Sequence, residues 1–234
     1  MLRVVLFDLD GTLMDTAPEI ADALNDSLRR LGHAPVDEAL VRGWIGDGAL
    51  ALQGKALAHA GAPAGAVDDA WAGFETDYQQ RVGTRSLVHD GVRPLLQRLH
   101  RQGLRQVLLT NKEAVFAHRL LALHGLAAAF DLVVAGDTLP VKKPHPGVVH
   151  HALTRLQAAP AEALLVGDST TDVRTARAAG VAVWLVRHGY PQGPLVGADA
   201  PDGFIDHFDQ FLPDPLPPAI TLPGAATPPS MDLS

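Results

Sequence analysis

Short apolar runs alternate with amphipathic segments through most of this sequence, and this alternation constrains the fold more than any other feature. The apolar runs have the length of buried strands. They cover residues 2–6, 104–109, 131–134, 163–166 and 181–186. The segments with helical spacing cover residues 92–100, 113–124, 147–157 and 172–179. Because strands joined by helices form parallel sheets with right-handed crossovers, the sequence predicts an α/β fold with a parallel sheet flanked by helices.

A long helical segment separates the first predicted strand from the second. Helical spacing continues there through residues 16–31, 36–43, 49–60 and 66–81. Thr16 and Glu19 have the spacing of a capping box, with Pro18 in the first turn. We therefore expect a catalytic core at 1–15 and 86–212 and an inserted helical cap at 16–85. Residues 213–234 hold seven of the 18 prolines and predict a flexible tail.

Composition excludes several classes of function. The chain has 234 residues, 47% of them hydrophobic, which is enough for a sizeable core. It has no cysteine, so thiolate nucleophiles and thiolate zinc sites are ruled out. The net charge of -7 argues against nucleic acid as a partner. No apolar stretch is long enough for a membrane span, and no signal peptide fits before residue 7. We expect a cytoplasmic monomer or homodimer without membrane partners.

Two carboxylates stand where the first predicted strand ends. Residues 7–12 read FDLDGT, which places Asp8 and Asp10 two positions apart just before Gly11. Residues i and i+2 of an extended chain point to the same side, so both carboxylates can converge where the backbone turns away. Such a pair suggests a magnesium site that contains a nucleophile. The alternative is a solvated turn, which Asp and Gly commonly form.

Polar residues also follow the later predicted strands. Thr110 and Asn111 follow the second strand, Lys143 lies between the third strand and its helix, and Asp168 and Asp172 follow the fourth. Each has an ordinary explanation, because Thr110 can cap a helix, lysines in loops are usually solvated, and either aspartate can cap a helix. Ligands of parallel α/β sheets bind beyond the carboxyl ends of the strands. The sequence therefore predicts that these side chains meet at one edge.

A phosphate ester is the substrate that this set of residues suits. A phosphate dianion near an aspartate is repelled by roughly 4 kcal/mol at about 4 Å and an effective dielectric of 20, so cations are required. Lys143 supplies one, and Mg²⁺ held by Asp8, Asp168 and a carbonyl or side-chain oxygen of Asp10 supplies the other. Thr110 would orient the phosphate oxygens. Asp8 can attack phosphorus, and Asp10 can protonate the leaving alcohol and then activate water.

The same residues resemble the motifs of the haloacid dehalogenase superfamily. The order DxDGT, TN, KP and GDxxxD, with an insert after the first motif, spans residues 7–172 and is similar to its phosphohydrolases. The resemblance implies a Rossmann-like core with a helical cap, a nucleophile at Asp8 and an acid/base at Asp10. It also implies phosphate binding and magnesium binding at further positions. The implied phosphate binders are Thr110 and Lys143, with Asn111 placed beside them as substrate-binding, and the implied magnesium ligands are Asp8, Asp10 and Asp168, with Asp172 supporting the metal.

A closer resemblance is to bacterial phosphoglycolate phosphatases. It rests on GWIGDGA at 43–49, GDTLPVKKP at 136–144 and RHGY at 187–190. It implies hydrolysis of 2-phosphoglycolate to glycolate and phosphate. The substrate carboxylate would then need a partner in the cap, for which Arg42, Lys55 and backbone N–H groups near Gly48 are the candidates. Asp47 would have to face away from that carboxylate.

Several alternatives remain open at this point. Phosphatases of sugar phosphates, including N-acetylmuramate 6-phosphate, and phosphomutases would share the core motifs. Haloalkanoic acid dehalogenases usually lack the second aspartate of the first motif, so Asp10 argues against that reaction. A phospho-receiver switch also uses Asp, Thr, Lys and magnesium, but its phosphorylated aspartate ends the third strand of a shorter domain. The order of motifs here disagrees with it.

Overall fold

The apolar runs of the sequence form the strands of one parallel sheet. The computed structural model describes residues 1–63, 65–209 and 211. The strands are β1 (Val4–Phe7), β2 (Met14–Asp15), β3 (Leu87–Val88), β4 (Arg105–Leu109), β5 (Leu132–Val134), β6 (Ala163–Gly167), β7 (Ala182–Val186) and β8 (Gly203–Ile205). The helices are α1 (Ala17–Arg30), α2 (Glu38–Arg42), α3 (Ala49–His59), α4 (Ala66–Arg81), α5 (Val92–Arg101), α6 (Ala114–Leu123), α7 (Gly147–Leu156) and α8 (Thr170–Ala179).

The main sheet has the order β5-β4-β1-β6-β7-β8, and all its neighbouring strands are parallel. β1 lies in the middle, with Phe7 opposite Leu108 of β4 on one side and Val166 of β6 on the other. The predicted α/β fold, a Rossmann-like parallel sheet flanked by helices, is confirmed. The three central strands therefore present their carboxyl ends side by side.

Alternate residues of the strands pack against helices on opposite faces of the sheet. Val5 and Phe7 belong to an apolar cluster that includes the buried residues of α5 and α6. Val4 and Leu6 belong to a second cluster that includes those of α7 and α8. Side chains of a strand alternate between faces, and a sheet covered on both faces needs apolar residues at every position. This explains why the strands read as continuous apolar runs.

Five of the six strands in the main sheet agree with the predicted runs to within two residues. The sixth, β8, pairs with β7 at the edge of the sheet and was not predicted. It has three residues, Gly203–Ile205, which is too short for a periodic pattern. The predicted tail at 213–234, and residues 210 and 212 of the predicted core, lie outside the described residues.

Helices α1–α4 form the insert between the first strand and the second strand of the main sheet. α1 packs against α4, and the apolar cluster on the α5 face of the sheet continues into them through Leu24, Phe74 and Tyr78. The short strands β2 and β3 pair antiparallel, with Asp15 opposite Leu87. The segment that leaves the core and the segment that returns to it therefore lie side by side. We propose that residues 16–85 form a cap over the core at 1–15 and 86–212.

The predicted capping box at the start of α1 is wrong. Thr16 occupies the cap position, but its hydroxyl makes no bond to the helix and instead donates to Oδ1 of Asp10 at 2.6 Å. Glu19 does not reach back to Thr16, because its Oε2 accepts the backbone N–H groups of Gly83 and Ser86 at 2.8 and 3.0 Å. Both side chains therefore tie the start of α1 to the core. No helix among the described residues is long and apolar enough to cross a membrane.

Candidate active site

The carboxyl ends of the three central strands bring the predicted residues together. Asp8 follows β1, Thr110 follows β4 and Asp168 follows β6, while Lys143 enters from the segment between β5 and α7. All four are at least 94% buried. Strands that run parallel end at the same edge, which is why residues far apart in sequence meet here. The structure thus places a charged, enclosed site where the sequence predicts one.

Lys143 lies between two carboxylates at the centre of this site. Its Nζ is 2.9 Å from Oδ1 of Asp8 and 2.7 Å from Oδ1 of Asp172. Burial by itself lowers the pKa of Lys143, but the negative charges of Asp172 and Asp8 outweigh it and hold the pKa above its usual value. Lys143 is therefore a permanent cation that holds the Asp8 carboxylate in place.

Asp8, Asp168 and Asp172 form a cluster of three buried carboxylates. Each has an oxygen within 4.8 Å of one from each of the others. Burial, together with the neighbouring negative charges, raises the pKa of both Asp8 and Asp168, although Lys143 opposes the rise. A divalent cation would favour the ionised forms, and a set of carboxylate oxygens fits Mg²⁺.

Asp172 supports the cluster from the first turn of α8. Its Oδ2 accepts the Ser169 hydroxyl at 2.8 Å and the backbone N–H groups of Asp168 and Ser169, each at 3.2 Å. Its Oδ1 accepts from Lys143. Both oxygens are therefore already engaged, whereas Oδ2 of Asp8 and Oδ1 of Asp168 accept no hydrogen bond from the described part of the chain. This leaves Asp8 and Asp168 freer than Asp172 to hold a cation.

The side chain of Asp10 lies outside this carboxylate cluster. Its Oδ1 accepts the Thr16 hydroxyl and is 3.1 Å from Nζ of Lys112. Asp10 also lines a cavity between the core and the inserted helices. Its carboxyl group is therefore held towards the insert, where the leaving group of a substrate would lie. Of the two magnesium donors that the sequence leaves open at Asp10, this arrangement favours the backbone carbonyl over the side chain.

Thr110 and Asn111 differ in what they can offer a substrate. α6 begins at Ala114, so the alternative that Thr110 caps this helix is wrong. Thr110 Oγ1 accepts the backbone N–H of Lys112 at 3.2 Å, and its own proton has no acceptor among the described residues. Asn111 Oδ1 accepts from the Lys143 backbone N–H at 2.9 Å, and its Nδ2 donates to the carbonyls of Lys143 and Gly46. Thr110 is thus free to donate to a phosphate, while Asn111 holds Lys143 and the insert.

Lys112 is a buried cation to which the sequence analysis assigned no role. Its Nζ is 3.1 Å from Asp10 and donates to the hydroxyl of Tyr78, on α4, at 2.6 Å. Burial by itself lowers the pKa of Lys112, but the charge of Asp10 and the bond to Tyr78 outweigh it, so the pKa is raised. In the sequence, Lys112 directly follows the TN motif. There it looks like a solvated loop lysine, because its partner Tyr78 comes close only in the folded chain.

Tyr190 is a second residue whose role the sequence did not reveal. Its backbone N–H donates to Oδ2 of Asp168 at 2.7 Å. Its hydroxyl accepts the backbone N–H groups of Thr16 and Ala17 at 3.1 and 3.2 Å, and donates to Asp15. Tyr190 therefore links a carboxylate of the cluster to the point where the chain enters the insert.

Arg42 and Lys55, the predicted partners for a substrate carboxylate, are both paired with other groups. Arg42 bonds Asp15 at 3.0 Å and Glu38 at 2.8 Å. Lys55 bonds Oδ2 of Asp47 at 2.7 Å. Since Asp47 does not line the cavity, its negative charge is directed away, as the prediction required. Neither cation lies at the cavity wall.

The cavity between core and insert is small. It encloses about 40 Å³, and its walls combine residues of the motifs with apolar side chains of α1, α3 and α4. On the core side they include Asp8, Asp10, Thr110 and Lys112, and on the insert side Ile20, Leu52, Phe74 and Tyr78.

Comparisons with known proteins agree with this geometry. The family model for haloacid dehalogenase-like hydrolases matches residues 2–180. Among curated proteins, a plasmid-borne phosphoglycolate phosphatase of Cupriavidus necator is 43% identical over 94% of this chain and 96% of its own. A phosphoglycolate phosphatase of Pseudomonas fluorescens is 38% identical over 95% of this chain and 84% of its own.

A solved structure extends the similarity to the whole arrangement of elements. The crystal structure of a predicted phosphoglycolate phosphatase from Haemophilus somnus superposes with a TM-score of 0.84 at 29% identity. The match covers 88% of this chain and 95% of that one.

Proposed function

The chain belongs to the haloacid dehalogenase-like hydrolases, and from that premise we propose that it hydrolyses 2-phosphoglycolate in a Mg²⁺-dependent reaction through an aspartyl-phosphate at Asp8. Its relatives and family make it a phosphoric monoester hydrolase. One observation supports the mechanism above the others. The Asp8 carboxylate is buried, held by Lys143 at 2.9 Å, and lies within 4.8 Å of the carboxylates of Asp168 and Asp172.

Asp8 is the nucleophile in this proposal. One oxygen of its carboxylate attacks phosphorus as the bond from phosphorus to the ester oxygen breaks, and the electron pair of that bond leaves with the alcohol. Lys143 and the Thr110 hydroxyl bind the phosphate oxygens and offset their charge. Lys143 is already oriented by Asp172, so it needs no rearrangement to meet the phosphate.

Asp10 moves the protons. In its acid form it gives a proton to the leaving alcohol, and as a base it then takes one from the water that attacks the aspartyl-phosphate. The hydroxyl of Thr16 and the ammonium of Lys112 hold its carboxyl group on the leaving-group side. Because the Thr16 hydroxyl donates to Oδ1 of Asp10, Oδ2 of Asp10 is available for the proton.

Asp8 and Asp168, with the backbone carbonyl of Asp10, would hold Mg²⁺, and Asp172 would support them. When bound, the metal supplies positive charge that offsets the repulsion between the Asp8 carboxylate and the phosphate. The raised pKa of Asp8 and Asp168 agrees with this proposal, because two buried carboxyl groups stay ionised at neutral pH only with such compensation.

Replacing Gly11 with Ala is expected to weaken apparent Mg²⁺ affinity by about 10- to 100-fold, the usual effect of disturbing a residue that orients a ligand. Gly11 has a φ of 82°, and a Cβ there would lie 2.2 Å from Oδ2 of Asp168 and 2.8 Å from the Tyr190 ring. The measurement is activity against Mg²⁺ concentration. Gly103→Ala is the matched control, since Gly103 has a φ of 77° but no atom within 4 Å of its Cβ. Equal Mg²⁺ dependence in both variants would contradict the prediction.

The substrate assignment is supported by the relatives and by the cavity. Both curated relatives are named phosphoglycolate phosphatases. On the insert side the cavity wall is apolar at Ile20, Leu52 and Phe74, which favours the small glycolate over leaving groups that carry several sugar hydroxyls, including N-acetylmuramate 6-phosphate. Membership in a hydrolase family argues against a receiver-like switch.

A panel of phosphate esters tests the proposed substrate. With Mg²⁺ present, we expect kcat/KM for 2-phosphoglycolate to exceed that for glucose 6-phosphate, glucose 1-phosphate and N-acetylmuramate 6-phosphate by at least about 100-fold, because specificity is a ratio of transition-state affinities. Release of inorganic phosphate is the readout, and the organic product is identified separately to exclude phosphoryl transfer between substrates. A sugar phosphate with the highest kcat/KM would refute the assignment.

A further inference from the structure

Lys112 is a buried cation that the steps above use only to hold Asp10. It is 6% exposed, and its Nζ contacts Asp10 at 3.1 Å and the Tyr78 hydroxyl at 2.6 Å. The same Nζ lies 4.8 Å from the centre of the Tyr78 ring. One residue comes from the core and the other from helix α4 of the insert. Together they form part of the wall of the cavity beside Asp10.

This pair retains hydrogen-bond donors that no described residue uses. An ammonium has three N–H donors, and Lys112 directs one towards Asp10 and one towards Tyr78. The Tyr78 hydroxyl accepts from Lys112, and its own proton has no acceptor in the described part of the chain. Buried donors are normally satisfied, so these two call for an acceptor inside the cavity.

The side chains of the insert-side wall offer no such acceptor, while on the core side the Glu113 carboxylate lines the same cavity with its Oε2 unpartnered among the described residues. Ile20, Leu52 and Phe74 are apolar and buried, and they line the cavity together with Tyr78. A group bound among them loses its water, so an anion enters only where a cation meets it. Among the residues that line the cavity, Lys112 is the one cation. The nearby cations Arg42, Lys55 and Lys142 bond Asp15, Asp47 Oδ2 and the Asp47 carbonyl.

We infer that Lys112 and Tyr78 bind a carboxylate of the substrate, so that the enzyme selects phosphate monoesters whose ester carbon carries a carboxylate group. The inference rests on the proposed function and deepens it. The ester oxygen must lie near Asp10 to receive its proton, and Lys112 is in contact with Asp10. A carboxylate one carbon beyond that oxygen, as in 2-phosphoglycolate, therefore falls beside Lys112. A hydroxyl or a longer chain at the same point gains less from the cation.

The pair would also link substrate recognition to the insert. Tyr78 lies on α4, whereas Lys112 follows β4, so a carboxylate bound by both joins the insert to the core. A phosphate ester of the same size without the carboxylate would make the phosphate contacts without this link. Lys112 and Tyr78 are thus specificity-determining residues in addition to their contact with Asp10.

The test compares two substrates of equal length in the full-length enzyme with Mg²⁺. These are 2-phosphoglycolate and ethylene glycol monophosphate, in which CH₂OH replaces the carboxylate. We expect Lys112→Met to reduce the ratio of their kcat/KM values by about 100-fold, mainly through KM for 2-phosphoglycolate. Tyr78→Phe keeps the cation and is expected to reduce the ratio by about 10-fold. Lys142→Met, at a neighbouring exposed lysine, is expected to leave the ratio unchanged.

The outcomes separate this inference from the proposed function. If Lys112 only positions Asp10, Lys112→Met slows both substrates equally and its ratio equals that of the wild type, which would overturn the inference. The wild-type enzyme provides a measurement that needs no variant: glycolate is expected to inhibit hydrolysis of ethylene glycol monophosphate, and ethylene glycol is not. Equal wild-type kcat/KM for both esters would also refute carboxylate recognition, while leaving the phosphatase reaction intact.

Discussion

Asp8→Asn is expected to lower the Mg²⁺-dependent kcat by about 10⁴-fold, the scale of losses when a catalytic nucleophile is removed. An amide is a poor nucleophile towards phosphorus, so the first step of the proposed reaction fails. The substitution keeps the shape of the side chain, and Lys143 retains its 2.7 Å bond to Asp172. The loss should therefore come from chemistry and not from a collapsed site.

Two measurements decide whether Asp8 forms the intermediate. Initial rates of phosphate release give kcat, and rapid quenching of the reaction in acid reveals phosphate bound covalently to the protein. Wild-type enzyme should show this label and Asp8→Asn should not. Asp90→Asn, at an exposed aspartate outside the site, serves as the control and should keep normal activity. Near-normal turnover of Asp8→Asn with an intact fold would refute the assignment.

Periodicity and strand-end chemistry account for most of what the sequence predicted. The helices of core and insert begin and end within two residues of the predicted bounds, because long amphipathic segments give a strong signal. Asp8, Lys143 and Asp168 were predicted to meet because all three lie at the carboxyl edge of a parallel sheet, and the structure brings them together. Topology thus conveys more about this site than local sequence does.

The remaining features depend on contacts that form only in the folded chain, or on strands too short to recognise in the sequence. The role of Lys112 depends on Tyr78, 34 positions earlier on another element, and no local pattern links them. The Thr16 hydroxyl was expected to accept a backbone N–H of α1, but it is directed to the Asp10 carboxylate, to which it donates a charge-assisted hydrogen bond. The strands β2, β3 and β8 are too short for a period to be recognised.

Lys143→Met is expected to destabilise the metal-free protein by about 3–5 kcal/mol, the cost of removing one partner from a buried ion pair. The Lys143 side chain is 3% exposed, and those of Asp8 and Asp172 are 8% and 0% exposed. Without the ammonium, both carboxylates would remain buried and uncompensated. The same variant should lose most of its activity, since Lys143 also binds the phosphate in the proposed reaction.

Mg²⁺ should restore part of this lost stability, and the restoration distinguishes an electrostatic cost from a packing cost. A cation that binds only the folded state stabilises it by an amount that grows with its affinity. Because Lys143→Met removes positive charge beside Asp8 and Asp172, the variant should bind Mg²⁺ more tightly than the wild type and gain more stability from it.

Denaturant unfolding of both proteins, in EDTA and in Mg²⁺, measures the two gains in stability. Lys142→Met, whose exposed ammonium bonds the Asp47 carbonyl and no other group among the described residues, should change stability by less than about 0.5 kcal/mol in either condition. An equal Mg²⁺ gain in Lys143→Met and wild type would show that the metal does not share these carboxylates with Lys143, and would remove the basis for placing it at Asp8.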